Sequence, residues 1–269
     1  MVGTPTMTSP SLQLCQAAYQ SAFSGMETIL AKADTAEDVL GATGEGLEGL
    51  DASLIGANHL AETTIDCRAG CSFCCSLRID VRAHEVFLLA RFLKATRSKD
   101  EVEAIRQAAE GVREQVQEMT DAQRNASTIP CVLLSDGRCS VYEARPAACR
   151  RYFSASATAC EALLNNPAEP AQIQHPFVQD FGRYVANGIH NAFFRSGFDA
   201  YSYDLPSALA EALAEPVREL RWFARLKAFS QKAESKVPEG FSQKEAVERL
   251  QNTLPPEPQP EPEDDYIGL

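Results

Sequence analysis

Apolar residues recur at intervals of three and four across residues 12–33, which predicts an amphipathic first helix. Asp34 with Glu37, or Thr35 with Asp38, has capping-box spacing and predicts that a second helix begins there. The continuation over residues 41–60 carries five glycines and predicts helix only weakly. Residues 79–81 form a short β-prone run, and residues 84–93 are as dense in apolar positions as a buried helix. Ser98 and Glu101 form another capping box, after which Val102, Ile105, Ala109, Val112, Val116 and Met119 repeat at helical spacing, the clearest helix in the chain. Cys131-Val132-Leu133-Leu134 and Cys139-Ser140-Val141-Tyr142 flank an Asp136-Gly137 turn, which predicts a β-hairpin over 131–142. Further helices are expected near 157–165, 175–196, 205–231 and 242–252, the last opened by Ser242 and Glu245.

These elements predict a mainly α fold with one short β-hairpin. The expected organisation is a loose N-terminus (1–10), a helical segment (11–60), a cysteine-rich metal-binding module (61–165) packed between flanking helices, a second helical segment (166–253), and a tail (254–269). That tail reads Pro-Pro-Glu-Pro-Gln-Pro-Glu-Pro-Glu-Asp-Asp after Leu254, and its proline and charge predict an acidic, disordered end. No internal repeat of 20–50 residues is visible.

The chain has 269 residues, 45% hydrophobic and 23% charged, enough to bury a real core. Its net charge of −12 opposes unspecific binding to nucleic acid or an anionic membrane. There is neither a signal-peptide pattern nor an apolar run long enough to span a bilayer, so no membrane association and a cytoplasmic location are expected.

The nine cysteines change the picture. Cys15 reads as an ordinary buried residue. The other eight, Cys67, Cys71, Cys74, Cys75, Cys131, Cys139, Cys149 and Cys160, are clustered along the chain. In a reducing cytoplasm they are expected to gather around a metal, since thiolates are the soft ligands that zinc and iron–sulfur clusters take. Four thiols within residues 67–75 are too close for successive helical turns and suit a loop whose sulfurs converge. Residues 67–91 and 131–160 each carry four arginines against two acidic residues, so each window is +2 within an acidic protein. Arginine donors there would offset thiolate charge and lower thiol pKa values. Tyr142, Arg145 and Arg150 lie between ligands and are expected to hydrogen-bond the sulfurs or a small anion, or simply to pack the turn.

The run Cys67-x3-Cys71-x2-Cys74-Cys75, followed by Cys131, by Gly137-Arg138-Cys139-Ser140-Val141-Tyr142-Glu143-Ala144-Arg145-Pro146, by Cys149 and by Cys160, resembles the YkgJ-type cysteine-cluster family, also described as the CxxCxxCC zinc- or iron-chelating domain. The resemblance covers about residues 60–165. That family often has proline directly after the cysteine matched by Cys131, whereas here Pro130 precedes it. Some longer members are linked to flagellin lysine N-methylation, which implies an iron–sulfur, S-adenosylmethionine-dependent protein methylase or a redox enzyme as an alternative activity, with a protein substrate or partner. A third alternative is a zinc-stabilised interaction scaffold using the acidic tail.

Eight thiols suit two zinc sites, one zinc with spare thiols, or a [4Fe–4S] cluster with a further site. Adjacent Cys74-Cys75 is atypical of zinc knuckles and tips the balance slightly toward iron–sulfur. Cys67-x3-Cys71-x2-Cys74 also matches the three-cysteine signature of radical S-adenosylmethionine enzymes. Those resemble partial (β/α) barrels, and the largely helical pattern here argues against one. No dinucleotide, phosphate-loop, serine-hydrolase or zincin motif is present. His84-Glu85 is expected to serve core or cap, His59 offers nothing, and His175 and His190 are extra ligand candidates.

Overall fold

The computed structural model describes residues 9–68, 70–166 and 174–254; residues 1–8 and the acidic run after Leu254 lie outside them, so the expectations of loose and disordered ends are not addressed by it. Helix α1 (Ser9–Leu30) is followed by α2 (Ala36–Leu60), capped by Thr35 with Asp38 in a complete capping box. The five glycines do not prevent α2. Its Val39, Leu40, Leu47, Leu50 and Leu54 are buried on one side, and that burial outweighs the poor helix propensity of glycine.

Glycine is also what brings α1, α2 and α8 (Pro176–Arg195) together. A Cβ added at Gly188 of α8 would stand 2.6 Å from the Tyr19 carbonyl oxygen of α1, and one at Gly46 of α2 would stand 3.0 Å from Met26 Sδ. One at Gly182 would meet Leu54 Cδ2 at 2.7 Å. The three helices are therefore closer than bulkier residues would allow, and their apolar faces form one end of the core.

The chain then passes through a short 3-10 turn (Phe73–Ser76) into strand β1 (Asp80–Val81) and helix α3 (Ala83–Thr96). Helix α4 (Lys99–Gln117) carries the Ser98–Glu101 box in full, and α5 (Asp121–Ala126) is capped by Thr120. Strands β2 (Leu134–Ser135) and β3 (Arg138–Cys139) pair antiparallel, Leu134 opposite Cys139, across a turn in which Asp136 and Gly137 both have positive φ (50° and 71°). The hairpin is shorter than the sequence pattern suggests: Leu134 N–H bonds back to Cys131 O, and residues 142–144 form a 3-10 turn. Helices α6 (Ala147–Arg151) and α7 (Ala157–Asn165) precede α8.

Strand β4 (Tyr203–Asp204) pairs antiparallel with β1 and leads into α9 (Leu205–Ala214). The single helix expected over 205–231 is broken. Pro216 lacks an N–H and disfavours helical geometry at Glu215, so α9 stops and α10 (Val217–Phe223) restarts. Helix α11 (Gln243–Thr253) follows Ser242. Ring centroids of Phe87 and Phe198 lie 5.2 Å and 4.7 Å from that of Trp222, and Phe198 stands 5.8 Å from Phe193 of α8, which joins these aromatics to the glycine-packed helices. The fold is mainly α, and its β content among the described residues is two short strand pairs and one antiparallel bridge, Tyr203 to Glu234.

Candidate metal centre

The eight clustered cysteines sit on the shortest elements of the fold. Cys67 and Cys71 lie in the loop after α2, Cys74 and Cys75 on the 3-10 turn, Cys131 before the hairpin, Cys139 on β3, Cys149 on α6 and Cys160 on α7. Cys160 is buried, the other seven are half-buried, and none is paired in a disulfide. Cys15 is fully buried on α1 and stands apart, as an ordinary core residue.

Residues distant in sequence hold these segments together. Cys131 N–H donates to Cys75 O at 2.7 Å, joining the hairpin to the 3-10 turn. Ser154 N–H donates to Cys67 Sγ at 3.2 Å, the Cys67 thiol faces Tyr152 O at 3.5 Å, and the Ser154 side chain shares a hydrogen bond with Cys160. Asp66 accepts Ala157 N–H at 2.8 Å and so caps α7 from beside Cys67. Glu85 accepts Arg82 N–H and Ala147 N–H, both at 2.7 Å, and thereby fixes the start of α6.

Burial raises the thiol pKa of Cys67, Cys131, Cys149 and Cys160, and neighbouring sulfurs raise them further. Cys74 is raised first by its hydrogen bond to Cys75 and then by burial. A bound cation reverses this, because it compensates negative charge that the apolar surroundings penalise. The donor set fits a thiophilic metal: sulfurs from five stretches of chain converge.

Arg145 lowers the thiol pKa of Cys67 and Cys74, its guanidinium lies 3.9 Å from the Tyr142 ring centroid, and it reaches Asp51 of α2 at 3.5 Å. Tyr142 is more than half exposed, and its ring partner is Arg145. Arg150 braces the turn: it donates to Arg145 O (2.8 Å) and Glu143 O (2.6 Å) and ion-pairs with Asp51. The expected basic surroundings narrow accordingly. Arg78 pairs with Asp80 and Asp121, Arg82 donates to Ala200 O, and Arg91 pairs with Glu37 and Glu219.

His84 Nε2 lies 3.1 Å from His190 Nδ1, and with Glu85 these are the three His, Cys, Asp or Glu ligand atoms within 4.8 Å of one another among the described residues. Both Glu85 oxygens already accept backbone N–H groups, and Arg82 and Arg151 add positive charge beside the imidazoles. Burial pushes His84 down to about 3 and His190 well below its ordinary value, and His84 stacks on Phe193 at 4.0 Å. This trio serves core and cap. His175 merely precedes α8 as its N-cap, without a side-chain cap bond.

Asp51, Asp66 and Ser154 went unnoticed in the sequence, and Glu85 was read there only as a core or cap residue. Only Glu85 had a local signal, as the third residue of α3, and that signal concerns its own helix and not α6.

A helix-framed module of convergent thiols defines a metal-chelating class of protein. Residues 66–168 match the CxxCxxCC family model, described as "Putative zinc- or iron-chelating domain", the family that the sequence resemblance named. No curated protein and no solved structure matches the chain.

Proposed function

We propose that this is an iron–sulfur protein whose eight clustered cysteines supply the ligands. The carrying observation is that eight thiols from five stretches of chain lie close enough to perturb one another, with Cys74 and Cys75 adjacent on one short turn, a pairing atypical of zinc knuckles. A [4Fe–4S] cluster supplies one-electron chemistry when bound. The chain's part is to supply four thiolates to each such cluster from among Cys67, Cys71, Cys74, Cys75, Cys131, Cys139, Cys149 and Cys160, to offset charge with Arg145, and to limit water by burial. No helix among the described residues is long and apolar enough to cross a membrane.

Anaerobic purification followed by metal and acid-labile sulfide analysis tests this. Equal iron and sulfide with a brown colour is expected; colourless protein holding zinc and no sulfide overturns it. The methyl-transfer and scaffold alternatives rest on the resemblance and on the acidic tail. Titration calorimetry of the loaded protein with S-adenosylmethionine is the measurement that would bring the first forward.

A further inference from the structure

We propose that the eight thiols form two separate four-thiol centres, Cys67, Cys71, Cys74 and Cys160 in one and Cys75, Cys131, Cys139 and Cys149 in the other, meeting at the adjacent pair Cys74-Cys75. This rests on the metal-binding reading but not on which metal is bound. The first set is assembled by Ser154, which hydrogen-bonds both Cys67 and Cys160, and by the packing of α7 on the 3-10 turn. Cys71 and Cys74 join it through their Cys-x2-Cys spacing, with Cys71 N–H closing a turn onto Arg68 O at 3.0 Å. The second set is assembled by the hairpin. Cys131 N–H bonds Cys75 O, the turn from Cys131 to Leu134 leads into the register that opposes Leu134 to Cys139, and α6, held by Glu85, brings Cys149.

The electrostatic neighbours separate Cys67, Cys71 and Cys160 from Cys131, Cys139 and Cys149, while Cys75 is assigned to the second set by the backbone bond from Cys131. Cys67 feels Cys74 and Cys71, and Cys160 feels Cys67, Cys74 and Cys71. Cys131 feels Cys139 and Cys74, and Cys149 feels Cys131, Cys74 and Cys139. Among these strongest sulfur neighbours, only Cys74 is common to both groups, as a residue at the seam must be. Successive residues of a 3-10 turn leave its axis about a third of a turn apart, so Cys74 and Cys75 start in different directions while their thiols stay within hydrogen-bond reach. Four thiolates per centre is the ligand count that both zinc and a [4Fe–4S] cluster take.

The test is metal stoichiometry on the full chain loaded anaerobically, first with iron and sulfide and separately with zinc. Cys160→Ser and Cys149→Ser are each expected to lose half of the bound metal and to keep the other half; either one emptying the protein entirely overturns the division. Where a variant fails to fold, the wild type decides, by stepwise chelation with thiol alkylation mapped by mass spectrometry. The thiols are expected to become reactive as two groups with the membership given above. One common curve for all eight, or groups that cross the seam, overturns it. Failure of the iron–sulfur reading shows instead in the identity of the metal, and so is distinguishable.

Discussion

Glu85 on α3 accepts the backbone N–H of Ala147 at 2.7 Å, and Ala147 is the first residue of the helix that carries Cys149. A carboxylate from the helical core thus sets the position of a thiol 64 residues further along the chain. The same carboxylate caps its own helix through Arg82 N–H. Glu85→Ala strips the partner from one buried and one part-buried donor, each costing about 1–3 kcal/mol, so a loss of roughly 2–6 kcal/mol is expected in urea unfolding. A loss under about 1 kcal/mol would show that α6 is held by other means.

The close approach of α1 and α8 makes a second prediction. Gly188→Ala places a methyl group 2.6 Å from the Tyr19 carbonyl oxygen, a backbone atom that moves only if the helix moves. Overpacking of this kind costs about 1–3 kcal/mol, whereas the same change at Gly25, which has open space around it, should be neutral or stabilising. Comparing the urea midpoints of the two variants checks it, and equal midpoints contradict the packing described.

His84 and His190 are held neutral in the core, chiefly by burial, with Arg82 nearby adding to the effect. An imidazole in the unfolded chain titrates near 6.5, so below that pH the unfolded state binds protons that folded His84 refuses until about 3. Because the unfolded state then holds more protons, stability falls as pH drops through this window. Glu85, whose pKa burial raises, acts in the opposite sense but is common to wild type and variant. The double variant His84→Leu, His190→Leu should therefore lose less stability than wild type between pH 7 and pH 4. Parallel curves of Tm against pH would remove the histidines from the account.

Much of the fold was legible because periodicity and capping are local. The Thr35–Asp38 and Ser98–Glu101 boxes and the Asp136-Gly137 turn each form as their spacing predicts. What was not legible depends on tertiary contact. Helix α2 forms through burial despite its glycines, and the break at Pro216 was hidden inside an apolar pattern that continues on both sides of it. In the metal centre the thiols announced themselves by clustering, but Asp51, Asp66 and Ser154 did not, since an aspartate or serine has no signature until the chain folds back on it. Arg150, by contrast, stands where its spacing placed it and turns to carbonyl oxygens and Asp51.

Metal removal should loosen the cysteine module and leave the glycine-packed helices intact. The thiols ride on a four-residue 3-10 turn, two-residue strands and the five-residue α6, none long enough to be stable without tertiary support. A structural thiolate–metal site contributes on the order of 10 kcal/mol of apparent binding free energy at neutral pH, more than those elements' own contacts would replace. Helices α1, α2 and α8 contain none of the clustered cysteines and bury Phe23, Leu47, Leu50, Leu54, Ile189 and Phe193 among themselves and the core. Hydrogen exchange after chelation is therefore expected to show protection lost over residues 67–76 and 131–151 and retained in those three helices. Uniform loss would make the metal the keystone of the entire chain, and unchanged protection over 67–76 would mean that these thiols are not its ligands.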